Sequence, residues 1–122
     1  RGAETVLLVD DEEAIRSFAQ QALMKFGYKV MTASTGEESL GLFAEKSKEI
    51  DLIVMDLGMP GMGGHKCLQE LLKLNPAVKV IIASGYSMER KSMESGAKGF
   101  VGKPYQLAEL LNAVLAVLDE GK

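Results

Sequence analysis

The sequence is poor in several residue types, and each scarcity excludes a class of protein. It contains one cysteine, Cys67, which excludes an internal disulfide and a multi-cysteine metal site. The net charge is −3, so there is no basic surface of the kind that nucleic-acid binding needs. No apolar run approaches the roughly 18 residues of a transmembrane helix, and the first residues lack a signal-peptide pattern. We expect a domain that binds neither nucleic acid nor membrane, in a reducing, cytoplasmic setting.

The remaining composition is that of an ordinary globular domain. Hydrophobic residues make up 47% and charged residues 25% of the 122 positions. This length suits one hydrophobic core. We therefore expect a single domain over residues 1–122, with its core at about 5–119. Because the chain starts at Arg1 rather than at a methionine, we expect this domain to be excised from a longer multidomain protein.

Apolar runs alternate with helical patterns along the whole chain. The strand-like runs are 5–9, 28–32, 51–55, 78–83 and 99–101. Helical spacing of apolar residues follows over 15–26 and 107–118, and further helices are predicted at about 35–46, 64–74 and, most weakly, 87–95. Five strand–helix units predict an α/β fold with three layers: a (βα)5 doubly wound parallel sheet of flavodoxin-like order 2-1-3-4-5.

Acidic residues stand at the ends of two of these apolar runs. Asp10 and Asp11 follow the first run and Asp56 follows the third, while Lys103-Pro104 comes after the fifth. Parallel strands deliver their C-terminal ends to one edge of the sheet, where open α/β sheets bind ligands. Clustered carboxylates repel one another unless positive charge lies between them. The pattern therefore predicts a divalent cation and a lysine at this edge.

Four sequence blocks together resemble the receiver domains of two-component response regulators. They are Val9-Asp10-Asp11-Glu12-Glu13, the stretch from Met55 to Gly64 (MDLGMPGMGG), Ala83-Ser84-Gly85-Tyr86, and the stretch from Gly99 to Tyr105 (GFVGKPY). Each block follows its expected strand, and the resemblance covers roughly residues 5–119. It implies a phosphoacceptor domain in a phosphorelay.

The resemblance also implies a role for each matching residue. Asp56 matches the position that accepts phosphate from a phosphohistidine. Asp10 and Asp11 match the acidic pair that holds Mg²⁺ together with Asp56, with Asp11 the expected direct ligand. Lys103 matches the ammonium that pairs with the phosphoryl group. A short set completes the site: the Gly58 backbone carbonyl as a further metal ligand, the Ser84 hydroxyl on the phosphoryl group, Phe100 as the switch aromatic, and a cis bond before Pro104.

The expected output is a change of surface shape. By resemblance, Ser84 moves toward the phosphoryl group, Phe100 fills the space that it leaves, and the surface of helix 4, strand 5 and helix 5 changes. The resemblance implies a histidine kinase or histidine phosphotransfer domain as partner, together with a kinase or output domain in the parent chain. The blocks are similar to receivers joined to hybrid sensor histidine kinases, while an output domain such as a DNA-binding module, or no output domain, stays open. Phosphorylation-dependent dimerisation stays open. The domain itself is expected to catalyse its own phosphorylation and dephosphorylation, and whether the parent chain is an enzyme such as a histidine kinase also stays open.

Two other functions use similar residues. A phosphatase of the haloacid dehalogenase type also uses Asp, Mg²⁺ and Lys on a parallel sheet, but it carries D-x-D after the first strand, whereas Asp10 and Asp11 are adjacent here. A flavodoxin needs a hydroxyl-rich phosphate loop after the first strand, where the acidic stretch would repel the flavin phosphate.

Three residues outside the constellation carry smaller predictions. We expect His65, the only histidine, to be a solvated surface residue rather than a phosphate donor, and Cys67 to be a small core or half-buried side chain. Tyr86, two residues after Ser84, is predicted to shade the phosphoryl group on one side and give it an intermediate lifetime.

Overall fold

The computed structural model describes residues 4–58 and 61–119, without the side chain of Tyr86. The strands are β1 Thr5–Val9, β2 Lys29–Ala33, β3 Leu52–Asp56, β4 Val80–Ser84 and β5 Gly99–Gly102. The helices are α1 Glu13–Lys25, α2 Gly36–Lys46, α3 Gly64–Leu74, α4 Glu89–Glu94 and α5 Leu107–Asp119, with a 3-10 turn at Tyr86–Met88 before α4. Within the described residues no helix is long and apolar enough to cross a membrane.

The five strands form one parallel sheet of order β2-β1-β3-β4-β5, which confirms the predicted fold class and strand order. The pairing register aligns the strand ends: Val9 lies opposite Met55, and Asp56 lies opposite Ala83. The residues that follow β1, the end of β3 and the loop after β5 therefore come together at one edge.

Each face of the sheet carries its own hydrophobic core. Val6, Leu8 and Val54 pack with residues of α1 and α5 on one side. Leu7 and Ile53 pack with residues of α2 and α3 on the other. Because helices cover both faces, both sets of alternating side chains are buried, and the strands read as continuous apolar runs.

Strand and helix boundaries differ from the predictions by one or two residues at several places. β2 begins at Lys29 rather than at residue 28, because Lys29 is the residue that pairs with Thr5 of β1. The helix predicted at 87–95 is shorter: α4 covers only Glu89–Glu94 after the 3-10 turn.

The buried stripe of α1 is narrower than its apolar spacing indicates. Ala19, Ala22 and Leu23 are buried, but Phe18 is 49% exposed and Phe26 is 56% exposed. Helical periodicity finds the face of a helix, whereas the neighbouring helix α5 decides how much of that face is covered.

Candidate metal centre

Asp10, Asp11 and Asp56 meet at the C-terminal edge of the sheet, as the sequence predicts. One carboxylate oxygen from each lies within 4.8 Å of the others. Asp10 and Asp56 are buried, at 6% and 7% exposure, whereas Asp11 is exposed. The cluster thus has a buried floor of two carboxylates and a third that faces solvent.

Lys103 lies between the two buried carboxylates. Its Nζ atom is 3.3 Å from Asp10 Oδ2 and 3.3 Å from Asp56 Oδ1. Burial alone would lower the pKa of Lys103, but the charges and hydrogen bonds of Asp56 and Asp10 outweigh it, so the pKa is raised. Lys103 therefore keeps its positive charge at physiological pH.

The pKa of Asp56 is raised above the ordinary aspartate value of 3.8. Burial is the main cause, and the charge of Asp10 adds to it, while the Gly58 N–H and Lys103 act in the opposite direction. The Gly58 N–H donates to Asp56 Oδ1 over 3.2 Å. Positive charge added near Asp56 would relieve the remaining cost of ionising it.

The start of α3 fixes the loop after Asp56 by a close backbone approach. A Cβ atom at Gly64 would lie 2.6 Å from Leu57 Cα and 2.9 Å from the backbone oxygen of Asp56. The Gly64 N–H donates to the Leu57 carbonyl over 3.1 Å. Only glycine fits at this contact, which holds the end of β3 against the helix. Met59 and Pro60 of the same loop lie outside the described residues.

Ser84 lies on β4, the strand that pairs with that of Asp56, and Phe100 lies one strand further out, on β5. Ser84 is the last residue of β4, one beyond the Ala83 that pairs with Asp56, and its carbonyl accepts the Lys103 N–H over 2.7 Å. Phe100 pairs with Ile82 and is half-buried against the core on the α2–α3 side of the sheet. The peptide bond between Lys103 and Pro104 is cis, as the resemblance implies.

Two residues that the sequence analysis did not single out line a small cavity beside Asp10 and Asp56. Tyr105 and Arg16 both reach a space of about 10 Å³, which is roughly the room that one water molecule needs. Burial, helped by the charges of Asp10 and Asp56, raises the pKa of Tyr105 to about 12. The position of Tyr105 directly after Lys103-Pro104 was the signal in the sequence. Arg16 gave no signal, because a charged residue on a helix reads as a surface residue.

The donor set suits a hard divalent cation. Three carboxylates with one exposed member provide the oxygen ligands that Mg²⁺ prefers, and the solvent-facing side leaves positions for water. Asp10 and Asp56 would hold the ion against the Asp56 carboxylate, where its positive charge would offset the raised pKa of Asp56.

His65 and Cys67 lie on α3 away from the three aspartates' metal cluster. The expectation of a solvated His65 is wrong: the residue is half-buried, its Nε2 atom is buried, and burial followed by the charge of Lys91 lowers its pKa. Cys67 is fully buried in the core as predicted, with Sγ 3.1 Å from Ser39 Oγ, and burial raises the pKa of its thiol.

Comparisons with known proteins agree with this geometry. The family model described as the response regulator receiver domain matches residues 6–115. The chain is 39% identical over 122 residues to the sensor kinase CckA of Brucella abortus, covering 98% of this chain but 13% of that protein. It is 33% identical to the chemotaxis protein CheY of Thermotoga maritima, covering 89% of this chain and 92% of CheY.

Solved structures give the same answer. A response regulator receiver domain protein from Clostridium thermocellum superposes with a TM-score of 0.89 at 30% identity, covering 95% of this chain and 94% of that one. CheY in a CheX–CheY–BeF3–Mg²⁺ complex from Borrelia burgdorferi superposes with a TM-score of 0.90 at 28% identity, covering 96% and 90%.

The chain therefore belongs to the family of response regulator receiver domains and is a module of two-component signalling. No comparison favours the haloacid dehalogenase alternative. The chain spans 13% of the Brucella sensor kinase and 45% of a probable transcriptional regulator of Guillardia theta, so relatives carry this module within longer proteins.

Proposed function

We propose that Asp56 accepts a phosphoryl group from a phosphohistidine on a partner histidine kinase or phosphotransfer domain. The observation that carries this assignment is Lys103, whose Nζ contacts both Asp10 and Asp56 within a cluster of three carboxylates. A lone group of acids is common on protein surfaces, but a half-buried lysine that bridges two of them at a parallel-sheet edge indicates a site for phosphate.

The transfer needs an oxygen nucleophile and compensation of negative charge. An Asp56 carboxylate oxygen forms the new bond to phosphorus, and the phosphorus–nitrogen bond of the donor breaks, leaving its electron pair on the imidazole. Phosphoryl transfer depends chiefly on positioning and on electrostatic stabilisation of the phosphoryl oxygens. Lys103 already contacts Asp56 Oδ1 and can shift to a phosphoryl oxygen with little movement.

Mg²⁺ is the proposed cofactor, held by Asp10, Asp11, Asp56 and the Gly58 carbonyl, with Asp11 as a direct ligand. When bound, the ion neutralises charge on the carboxylates and on the phosphoryl oxygens. The buried carboxylates of Asp10 and Asp56 orient the site, and the exposed Asp11 gives the ion access from solvent.

The switch is proposed to pass through Ser84 and Phe100 to the surface formed by α4, β5 and α5. Ser84 lies next to the strand position that pairs with Asp56, and the β4–β5 pairing links it to the strand that carries Phe100. The short α4 supports a movable element. Its Ser92 is fully buried, and among the described residues no hydrogen-bond partner is found for the hydroxyl.

The parent protein is proposed to be a cytoplasmic signalling protein, with a hybrid sensor histidine kinase as the first candidate. The similarity to the receiver portion of CckA favours this architecture. A transcriptional regulator, or a stand-alone receiver like CheY, are the alternatives. Dimerisation on phosphorylation, and the shading of the phosphoryl group by Tyr86, whose side chain lies outside the described residues, stay predictions.

The test is a titration with beryllofluoride and Mg²⁺, followed by backbone amide NMR. Beryllofluoride on a carboxylate stands in for the acyl phosphate. We expect Mg²⁺-dependent shifts at Asp56, Ser84, Phe100 and Lys103, and none with beryllofluoride in Asp56→Asn. Shifts confined to the pocket would remove the Phe100 switch but keep the acceptor, and the absence of any response would overturn the proposal.

A further inference from the structure

Asp10 is held by four contacts: one from β2, one from Lys103 after β5, and two from the start of α1. Its N–H donates to the Ala33 carbonyl over 3.1 Å. Its Oδ1 accepts the Glu12 N–H over 2.9 Å, and its Oδ2 is 3.3 Å from Lys103 Nζ. The fourth contact is to the backbone carbonyl, which accepts a short 2.7 Å hydrogen bond from Arg16 Nη1.

The Arg16 contact satisfies a carbonyl that the sheet does not use. β1 ends at Val9, so the Asp10 carbonyl is beyond the last strand position of β1. Arg16 is in the first turns of α1, where its own N–H donates to the Glu12 carbonyl over 3.0 Å. The helix therefore anchors the backbone of Arg16, and the half-buried side chain reaches back over the acidic loop. A hydrogen bond from a guanidinium is charge-assisted and among the stronger kinds.

The Asp10 carbonyl is one half of the peptide plane that leads into Asp11. Because a peptide unit is planar, fixing the carbonyl direction of Asp10 also fixes the N–H direction and the Cα position of Asp11, from which the Asp11 side chain starts. The Asp11 carboxylate is exposed, whereas the Asp10 and Asp56 carboxylates accept part-buried hydrogen bonds. The place of the Asp11 carboxylate in the cluster therefore depends on where the backbone puts the Asp11 Cα atom.

We propose that Arg16 is a positioning residue of the metal centre, whose guanidinium fixes the Asp10–Asp11 peptide and so aims the Asp11 carboxylate at the Mg²⁺ position. This inference rests on the proposed function of the site. Arg16 does not touch the reacting atoms in this arrangement; it acts through the backbone of the two acids. Residues that orient metal ligands from behind typically change metal affinity by 10- to 100-fold when they are removed.

The first test compares Mg²⁺ affinity in three proteins by amide NMR titration: the wild type, Arg16→Met and Arg90→Met. Methionine keeps an apolar stem and removes the donor. Arg90 is a matched control, because its guanidinium is exposed and pairs with an exposed glutamate, Glu94. We expect the Mg²⁺ dissociation constant to rise about 10-fold in Arg16→Met and to stay within a factor of two in Arg90→Met.

A second readout separates positioning from a general loss of structure. Phosphorylation by an acyl phosphate donor should be slow in Arg16→Met at low Mg²⁺ and should recover to near the wild-type rate at saturating Mg²⁺. A defect that persists at saturating Mg²⁺, or an unchanged Mg²⁺ affinity, would overturn the role of Arg16. A wild type that binds no Mg²⁺ would instead overturn the proposed function, so the two failures are distinguishable.

A measurement on the wild type covers the case in which Arg16→Met does not fold. Guanidinium NMR reports rotation about the Nε–Cζ bond of each arginine. We expect this rotation to be slow for Arg16 compared with Arg90, and slower still with Mg²⁺ bound. Free rotation of the Arg16 guanidinium in the Mg²⁺-bound protein would contradict the proposal.

Discussion

Burial and the charge of Asp10 both oppose ionisation of Asp56 and raise its pKa, and Lys103 and the Gly58 N–H offset only part of that cost. The uncompensated negative charge that destabilises the metal-free domain also favours the binding of a cation at this site. At the scale of single residues, therefore, the clustered acids lower the stability of the metal-free fold and raise its affinity for a cation. Asp56 and Tyr105 each give a prediction about pH.

Replacing Asp56 by asparagine should stabilise the metal-free protein at neutral pH. A carboxylate whose folded-state pKa lies above its unfolded value lowers stability as pH rises from the unfolded to the folded pKa, and asparagine carries no charge. We expect the free energy of unfolding to rise by ~1 kcal/mol at pH 7, measured by denaturation in a chelator. The gain should largely vanish near pH 3, where Asp56 is protonated in both states. A variant that is less stable than the wild type at pH 7 would contradict the clustered-charge picture.

Tyr105 should make the fold sensitive to strongly alkaline pH. Its pKa is raised to about 12 in the folded state, so between the ordinary value of 10 and about 12 the unfolded chain loses a proton that the folded protein keeps. Stability contributed by the neutral phenol is therefore present below pH 10 and is lost as pH rises toward 12.

Ultraviolet titration of tyrosine ionisation checks this assignment. The wild type should show an ionisation of Tyr105 near pH 12, and Tyr105→Phe should lack that step. The variant should also lose less stability than the wild type between pH 10 and 11. If Tyr105→Phe instead loses a tyrosine ionisation near the ordinary pH of 10, Tyr105 is not held beside the acids.

At the scale of secondary-structure elements, the join between β3 and α3 matters most, because it sets the position of Asp56. Gly64 begins α3 in direct contact with backbone atoms of Leu57 and Asp56, and backbone atoms cannot turn aside as side chains do. Gly41, in the middle of α2, has open space at the corresponding Cβ position. A methyl group would therefore clash with backbone at Gly64 but would meet open space at Gly41.

Alanine at these two positions should change stability in opposite directions. Gly64→Ala should lower the free energy of unfolding by about 1–3 kcal/mol, because the contact is overpacked. It should also weaken Mg²⁺ binding, since the end of β3 must shift. Gly41→Ala should raise stability by roughly 0.5–1 kcal/mol through helix propensity alone. Thermal or urea denaturation measures both; a neutral Gly64→Ala would mean that the loop moves freely and does not hold Asp56.

At the scale of the whole molecule, two cores on opposite faces of one sheet hold three carboxylates at a single edge. The site has no frame other than this sheet and the loops that follow its strands, so ligand binding at the edge is coupled to folding of the entire domain. Mg²⁺ that binds the folded protein and not the unfolded chain must raise the melting temperature.

Mg²⁺ should stabilise the wild type by about 2.7 kcal/mol at 100 times its dissociation constant, and removal by a chelator should reverse the effect. Asp11→Asn should lose most of this response with little change in metal-free stability, because the Asp11 carboxylate is exposed. Thermal denaturation with and without Mg²⁺ measures the difference. An equal response in Asp11→Asn and the wild type would place the ion elsewhere.

The sequence by itself determined the alternation of strands and helices and the acids and lysine of the site, because hydrophobic period and residue chemistry are local properties. The sheet order followed from the five strand–helix units and the rules for parallel crossovers. Only the tertiary structure decided how far each residue is covered. Phe18 and Phe26 stay about half-exposed, His65 is half-buried, and burial raises the pKa of Tyr105. It also brought Arg16 onto the Asp10 carbonyl, a contact between a helix and the loop before it. Burial and hydrogen bonds depend on what packs against a residue, and that information is distributed over distant parts of the chain.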